Sequence, residues 1–198
     1  LIMDSDNEKT HGHNIYENQH YIPMGFTFDS YVTEDEYDAM DKDEDADRLL
    51  VRDIILTVEQ ATKYRDILEV DPDARTTKMS DQEYFDECDA RAESSCTEFE
   101  FSSKGFTATT ADLDSENLVF FSVPYDKGFT AYVDGVKTDV ECVDYGMMAV
   151  DVPAGMHSIE FVYVPYGFGY GVAISIVSAA GLIIFAIVAS KRRKHICI

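Results

Sequence analysis

The sequence predicts a mainly β protein: an antiparallel β-sandwich or jelly-roll-like body with a less regular α+β N-terminal part, followed by one C-terminal transmembrane helix. Three observations carry this reading. Short apolar or alternating runs recur at close, regular spacing across residues 97–165, the pattern of a sandwich. Residues 172–190 are uncharged, and Lys191-Arg192-Arg193-Lys194 follows at once. Acids crowd the front of the chain: residues 1–100 hold 28 acids and 9 bases, residues 101–190 hold 10 and 3, and the last eight hold 4 bases and no acid. Such asymmetry suits a chain that meets two environments.

The elements follow in order. In the N-terminal part, residues 1–96, Asp47–Arg52 reads as a short helix and Ile54–Val58 as a strand. Ser80–Glu93 reads as a helix, with Ser80 as N-cap and Glu83 at capping-box spacing. Its apolar positions Tyr84, Phe85, Cys88 and Ala92 roughly share one face. The sandwich core, residues 97–165, begins with strands at Thr97–Phe101 and Phe106–Ala111. The apolar run Leu118–Val123 reads as a buried strand. Phe129–Asp134 alternates, placing Phe129, Ala131 and Val133 inward with Val140 and Phe161, and Tyr132 and Asp134 on the other face. Asp134-Gly135 signals a type I′ hairpin, in which glycine supplies positive φ. The return strand alternates Val136, Thr138, Val140 and Cys142 against Lys137, Asp139 and Glu141. Gly146–Val152 and His157–Val164 complete the set, joined by Pro153-Ala154-Gly155.

Residues 166–171, with Gly167, Gly169 and Gly171, read as a glycine-aromatic hinge at a membrane surface. The helix 172–190 spans roughly 28 Å, close to the ~30 Å hydrocarbon core. Tyr163, Tyr166, Phe168 and Tyr170 fit an interfacial aromatic belt at one end. The basic tail, residues 191–198, fits the cytoplasmic side at the other. The body, residues 1–171, is then expected outside. Ser175, Ser178, Ala179, Ala180 and Gly181 suit close packing on other membrane helices. The chain opens Leu1-Ile2-Met3, without an initiator methionine or a signal peptide, and reads as a fragment of a longer protein.

Composition and motif geometry exclude several functions. A formal net charge of −22 leaves no basic face for general nucleic-acid binding. The run Glu34–Asp47 contains Asp41-x-Asp43-x-Asp45, an EF-hand-like start. Ala46 stands where that loop needs glycine and Arg52 where it needs glutamate. A solvated acidic loop or helix face is the expectation. His11, His13 and His20 lack the further ligands and spacing of a zinc site, so no metal and no cofactor is expected. No nucleophile–base constellation is present, and no residue is assigned as catalytic. Cys88 and Cys96 have the spacing to close a small loop in an oxidising space. Cys142 reads as a buried small hydrophobe, and Cys197, beside the basic tail, as a candidate acylation site. The densest aromatic-plus-acid group is Tyr125, Phe129 and Tyr132 with Asp126 and Asp134. Tyr125, Asp126, Tyr132 and Asp134 are the candidate glycan contacts, against the alternative that they fill core and turns.

Several segments together carry a family resemblance. They are Val123-Pro124-Tyr125-Asp126-Lys127-Gly128-Phe129-Thr130-Ala131-Tyr132-Val133-Asp134-Gly135, then Val152–Phe161 with its Pro153-Ala154-Gly155-Met156-His157, then Tyr163-Val164-Pro165 before the membrane helix. Upstream, Ile15-Tyr16-Glu17-Asn18 and Ile22-Pro23-Met24-Gly25-Phe26 join them. The chain resembles the C-terminal end of the YfhO-like family of bacterial polytopic membrane proteins, at low similarity before about residue 95. The family more often has Trp where this chain has Phe129. The resemblance implies a multi-pass parent in the bacterial plasma membrane, similar to glycosyltransferases that use polyprenyl-phosphate-linked sugars to decorate cell-wall polymers such as lipoteichoic acid. Their catalytic acids lie in an early extracellular loop outside this chain, so the fragment is expected to be a non-catalytic accessory ectodomain. Its implied partners are the lipid bilayer, the parent's remaining transmembrane helices, and a lipid-linked sugar or cell-wall glycopolymer. The alternative is a non-enzymatic, single-span surface protein whose β-domain binds glycan or protein.

Overall fold

In the computed structural model, residues 18–40, 48–71 and 79–196 are described, with side chains to Lys191. The body is strand-rich, and one long apolar helix follows it. Two antiparallel sheets form the sandwich. The first has the order β1 (Phe26–Thr27), β7 (Asn117–Pro124), β11 (Met147–Val152), β10 (Glu141–Val143). The second has the order β5 (Glu98–Ser102), β6 (Gly105–Thr109), β12 (Ser158–Tyr163), β8 (Phe129–Val133), β9 (Val136–Thr138). Val119, Phe121, Met148 and Val150 of the first sheet meet Phe106, Ala108, Ala131, Ile159 and Phe161 of the second in one buried cluster. Phe161 stacks on Phe106 at 4.4 Å between ring centroids and meets Phe121 edge-on at 5.2 Å. Such ring geometry adds to what burial of the area alone supplies.

The N-terminal part is more ordered than its sequence suggests. It forms a three-stranded parallel sheet, β3 (Asp53–Leu56), β2 (Ser30–Thr33), β4 (Glu69–Val70). Helices α1 (Glu34–Ala39), α2 (Leu49–Arg52) and α3 (Val58–Tyr64) connect its strands. Capping boxes start α1 at Thr33 and α3 at Thr57, each satisfying orphan N–H groups that a short helix cannot leave bare. Strands β2 and β3 are covered on both faces, while β4 lies exposed at the edge. Val32 and Ile55 pack with Tyr37 of α1 and Leu49 of α2. Tyr31, Ile54 and Leu56 pack with α3 and with Leu118, Phe120 and Ala149 of the sandwich. The β7–β11 pair therefore lies between two cores. The described part of Glu34–Asp47, residues 34–40, is a capped helix and its end; residues 41–47 lie outside the described residues.

Helix α4 (Asp81–Glu93) starts at the expected capping box between Ser80 and Glu83. Cys88 is its buried apolar residue, while Phe85 is exposed and stacks on His20 at 4.3 Å. The β8–β9 turn is type I′, with φ of 50° at Asp134 and 77° at Gly135, and glycine carries the second value without steric cost. Gly105 is required for a different reason: a Cβ there would lie 1.9 Å from the Phe161 carbonyl oxygen, so β6 approaches β12 only because no side chain intervenes.

Four expectations are corrected. The run 136–142 is not one strand: β9 ends at Thr138 in the second sheet and β10 begins at Glu141 in the first. Cys142, paired with Met148, keeps the inward side, but β10 is the edge strand of its sheet and leaves it exposed, while Val143 is buried on the opposite face. Cys88 and Cys96 are free, buried thiols, held in separate places by α4 and by the sandwich core, with no bond between them. Helix α5 (Phe168–Ile196) begins ahead of Val172 and takes in Gly169 and Gly171, which leaves residues 165–167 as the connecting turn. Phe129 faces inward with Val133 and Val140, as its alternation requires, and is half-buried.

The difference between Phe161 and Phe129 is measurable. Phe161, 1% exposed and central to the ring cluster, should cost about 3–5 kcal/mol when replaced by Ala. Phe129→Ala, at the rim beside Tyr163, should cost about half as much. Denaturant unfolding of the full chain in mild detergent reads both. Equal losses would show that the ring cluster does not centre on Phe161.

Candidate functional site

The structure separates the four candidate glycan contacts. Strands β7 and β12 run toward the membrane helix and β8 runs away from it, so Asp126 lies at the helix-proximal end and Asp134 at the helix-distal end. The five residues of β8 between them span roughly 17 Å. Tyr125 packs on the sandwich core, and its N–H donates to Gly146 O at 2.7 Å. Asp126 Oδ1 accepts from the Gly128 N–H at 2.7 Å, closing a turn. Asp134 accepts from His157 Nδ1 at 2.6 Å and from the Ser158 N–H at 2.9 Å. Tyr132 alone of the four stands on the outer sheet face, in a cross-strand row of Lys137, Tyr132, Glu160, Thr107 and Glu100.

The Asp134–His157 pair clamps two turns together. His157 Nε2 faces the Ala154 carbonyl at 3.1 Å, so both ring nitrogens point at acceptors, which favours the imidazolium. The hydrogen bond to Asp134 raises the His157 pKa, and the same bond holds Asp134 below the usual carboxylate range. Asp144, in the β10–β11 turn, reaches the open edge of β3. Its Oδ1 accepts from the Ile55 N–H at 2.6 Å and its N–H donates to Ile55 O at 3.1 Å. Burial pushes this carboxyl up from 3.8 to about 7. Glu141 is the opposite case: despite its burial, hydrogen bonds from Lys63, Gln60 and Tyr64 outweigh desolvation and lower its pKa.

A polar cleft of about 310 Å³ opens at the helix-distal end, between β1, the end of α4 and residues 111–117. Its floor is Arg91, 4% exposed. The guanidinium donates to Thr27 O at 2.7 Å and to Asp29 Oδ2 at 2.9 Å, and lies 5.3 Å over the Phe28 ring. Among the described residues its Nε has no acceptor. The mouth carries Asp29, Glu93, Asp112, Asp114, Ser115 and Asn117. Asn117 Nδ2 donates to Phe28 O at 3.0 Å and its Oδ1 accepts from the Leu118 N–H, which holds the loop on β1. This lining is rich in acceptors around one fixed donor. It suits a ligand rich in hydroxyls and repels phosphate. Sequence reasoning missed Arg91, although the signal was present. Tyr84, Cys88 and Arg91 share one helical stripe, and a lone arginine on such a stripe has to find buried partners.

His11, His13, Asp41, Asp43, Asp45 and Cys197 lie outside the described residues. His20 Nδ1 lies 2.9 Å from Asp89 Oδ1, which ties residues 18–22 to α4. Among the described residues no group of three or more His, Cys, Asp or Glu side chains converges.

A β-rich body on one membrane-length helix, Phe168–Lys191 with mean hydropathy 2.7 and no part of it buried, defines a membrane-associated protein. The model of one family, described as the bacterial membrane protein YfhO, matches residues 73–175. That is more than half of the chain and runs from α4 through β5 to β12 into α5, so the chain belongs to the YfhO family. No curated protein and no solved structure matches it.

The shifted groups set a pH dependence. Asp144 binds its proton more tightly folded than unfolded, so its burial penalty is absent below about pH 4 and complete above about pH 7. His157, raised in the fold, stabilises fully below its ordinary value and loses that contribution as pH rises through its folded pKa. Asp144 makes stability fall as pH rises from about 4 to about 7, by roughly 2–4 kcal/mol, and His157 adds to the fall as pH rises through its own raised pKa. Below about pH 4 the lowered carboxylates Asp134 and Glu141 reverse the trend. Unfolding across this range should show a maximum near about pH 4, and Asp144→Asn should flatten the alkaline limb. An unchanged slope in that variant would refute the assignment.

Proposed function

We propose that this chain is the non-catalytic accessory domain and last membrane helix of a multi-pass bacterial sugar transferase, which draws on polyprenyl-phosphate-linked sugars to decorate a cell-wall polymer such as lipoteichoic acid. The body lies outside the plasma membrane and the tail 191–198 in the cytoplasm. The observation that supports a sugar role for this part is the cleft over Arg91. Its carboxylates, amide and hydroxyls match the donors of a sugar ring, and its acidity disfavours a polyanionic backbone. The cleft is thus read as holding the neutral sugar unit of the polymer. Tyr132, on the outer sheet face, is the remaining candidate glycan contact of the original four. The bond-making chemistry belongs to parts of the parent outside this chain.

Two experiments test this. Full chain in nanodiscs is titrated with methyl glycosides and with glycerol phosphate by ligand-observed NMR. A neutral glycoside should bind, and Asp112→Asn with Asp114→Asn should weaken it about ten-fold, the effect of losing one or two hydrogen bonds to charged groups. Binding of glycerol phosphate but no glycoside would sink the reading. For orientation, a membrane-impermeant maleimide should label exposed Cys142 in intact cells and Cys197 only after permeabilisation, with Cys142→Ser and Cys197→Ser assigning the signals. The reverse order would invert the topology.

A further inference from the structure

The membrane helix is joined to the sandwich by a short, tied connection. The Tyr163 N–H donates to Lys104 O at 2.7 Å and the Val164 N–H donates to Gly128 O at 2.9 Å. The Phe168 N–H then closes a turn on Pro165 O at 3.0 Å, and helix α5 begins. The chain that leaves the sandwich is therefore bonded to two other turns: residues 103–104, between β5 and β6, and residues 126–128, before β8. Val164 and Phe168 are four residue steps apart, a reach of at most ~14 Å. Both turns thus lie within about one to two Debye lengths of the point where the helix enters the bilayer.

Those turns carry an unusual set of side chains for this protein. Residues 101–190 contain three bases, Lys104, Lys127 and Lys137, and two of them sit on these turns, both exposed. Beside Lys104, Phe101 is 70% exposed, and it continues the ring contacts of Phe99 and Phe106 out of the sandwich at 4.7 and 5.9 Å. Tyr163, Val164, Tyr166 and Phe168 are exposed around the same point. Two acids also stand at this end: Asp126, whose Oδ1 is tied to the Gly128 N–H of its own turn, and Glu100, exposed on the outer face of the five-stranded sheet, opposite in side to Phe101. The acidic first turn of α1 belongs to the parallel-sheet layer, on the far side of β7–β11.

We propose that this helix-proximal rim, with Phe101 and Lys104 on the β5–β6 turn and Lys127 on the turn before β8, is a second membrane contact that seats on anionic lipid headgroups. The phenylalanine enters the headgroup–acyl boundary, and the lysines lie over the phosphates, each attracted by the surface charge of the leaflet. The parallel-sheet layer, acidic in α1, is held off by the same field. The helix-proximal end of the five-stranded sheet is therefore seated by its two turns, and the helix does not act as a free tether. This contact depends on the helix crossing a membrane and is independent of the sugar reading.

The chain contains no Trp, so F101W supplies a unique fluorophore at an exposed position, and V136W, on the helix-distal hairpin, supplies the control. Full chain is reconstituted in phosphatidylcholine vesicles, with or without phosphatidylglycerol, carrying lipid brominated near the headgroup end of the acyl chain. F101W should be quenched in the anionic vesicles and V136W should not, and S103W on the same turn should behave as F101W does. Lys104→Gln and Lys127→Gln should each lower the docked-to-undocked ratio about five-fold, the effect of one charge near an anionic leaflet. Quenching of F101W no greater than that of V136W overturns the proposal. So does quenching indifferent to both phosphatidylglycerol and the lysines. If F101W is shielded from aqueous iodide yet untouched by bromolipid, a protein surface covers the rim and the lipid contact is wrong.

Discussion

The β7–β11 pair is apolar on both faces, and the rest of the body follows from that. In β7, Val119 and Phe121 point into one core while Leu118 and Phe120 point into the other. In β11, Met148 and Val150 face one way and Ala149 the other. An antiparallel sheet usually leaves one face to water and alternates accordingly. This one has no face to spare, so it must be covered twice. The second sheet covers one side with its phenylalanine cluster. The other side recruits the parallel sheet and α3, elements too short to hold together unaided. Asp144 secures the seam by closing the open edge of β3, which would otherwise present unpaired backbone groups.

This explains which elements were legible in the sequence. The run Leu118–Val123, the Asp134-Gly135 hairpin and the capping box at Ser80 are local signals, and each is where the sequence places it. The parallel sheet is not a local fact. Of its strands only β3 (Asp53–Leu56) registers, as the run read at Ile54–Val58; β2 and β4, of four and two residues, are too short for periodicity to show, and they exist because an apolar sheet face is waiting for them. The break between β9 and β10 was hidden for a related reason. Alternation shows that a strand is half-buried, but not which of two facing sheets it belongs to. Cys142 keeps the inward side beside Met148, yet it stays exposed because β10 is an edge strand.

The candidate site was less legible than the fold, because the residues that draw attention in the sequence are mostly occupied. Asp126 closes a turn, and Asp134 and His157 pin the β8–β9 hairpin to the Pro153–Gly155 turn. The stretches that carry the family resemblance are to this extent the frame of the domain. The cleft is assembled instead from three segments far apart in the chain: Thr27 and Asp29, the last turn of α4, and residues 111–117. Only Arg91, a charge on a buried stripe, left a trace of it in the sequence.

Strand direction gives the body two ends with different physics. The helix-proximal end gathers exposed aromatic rings and two of the few lysines, while the helix-distal end holds the acidic cleft over Arg91. Between them stands the eight-residue strand β7, roughly 27 Å long. If the proximal rim is seated as proposed, the cleft stands about that far above the headgroups. A sugar still attached to its lipid carrier lies at the membrane surface and would fall short of it. A polymer chain that extends away from the membrane passes that height. The geometry of the proposed seating therefore favours the acceptor polymer, and not the lipid-linked donor, as the source of the sugar that the cleft would hold.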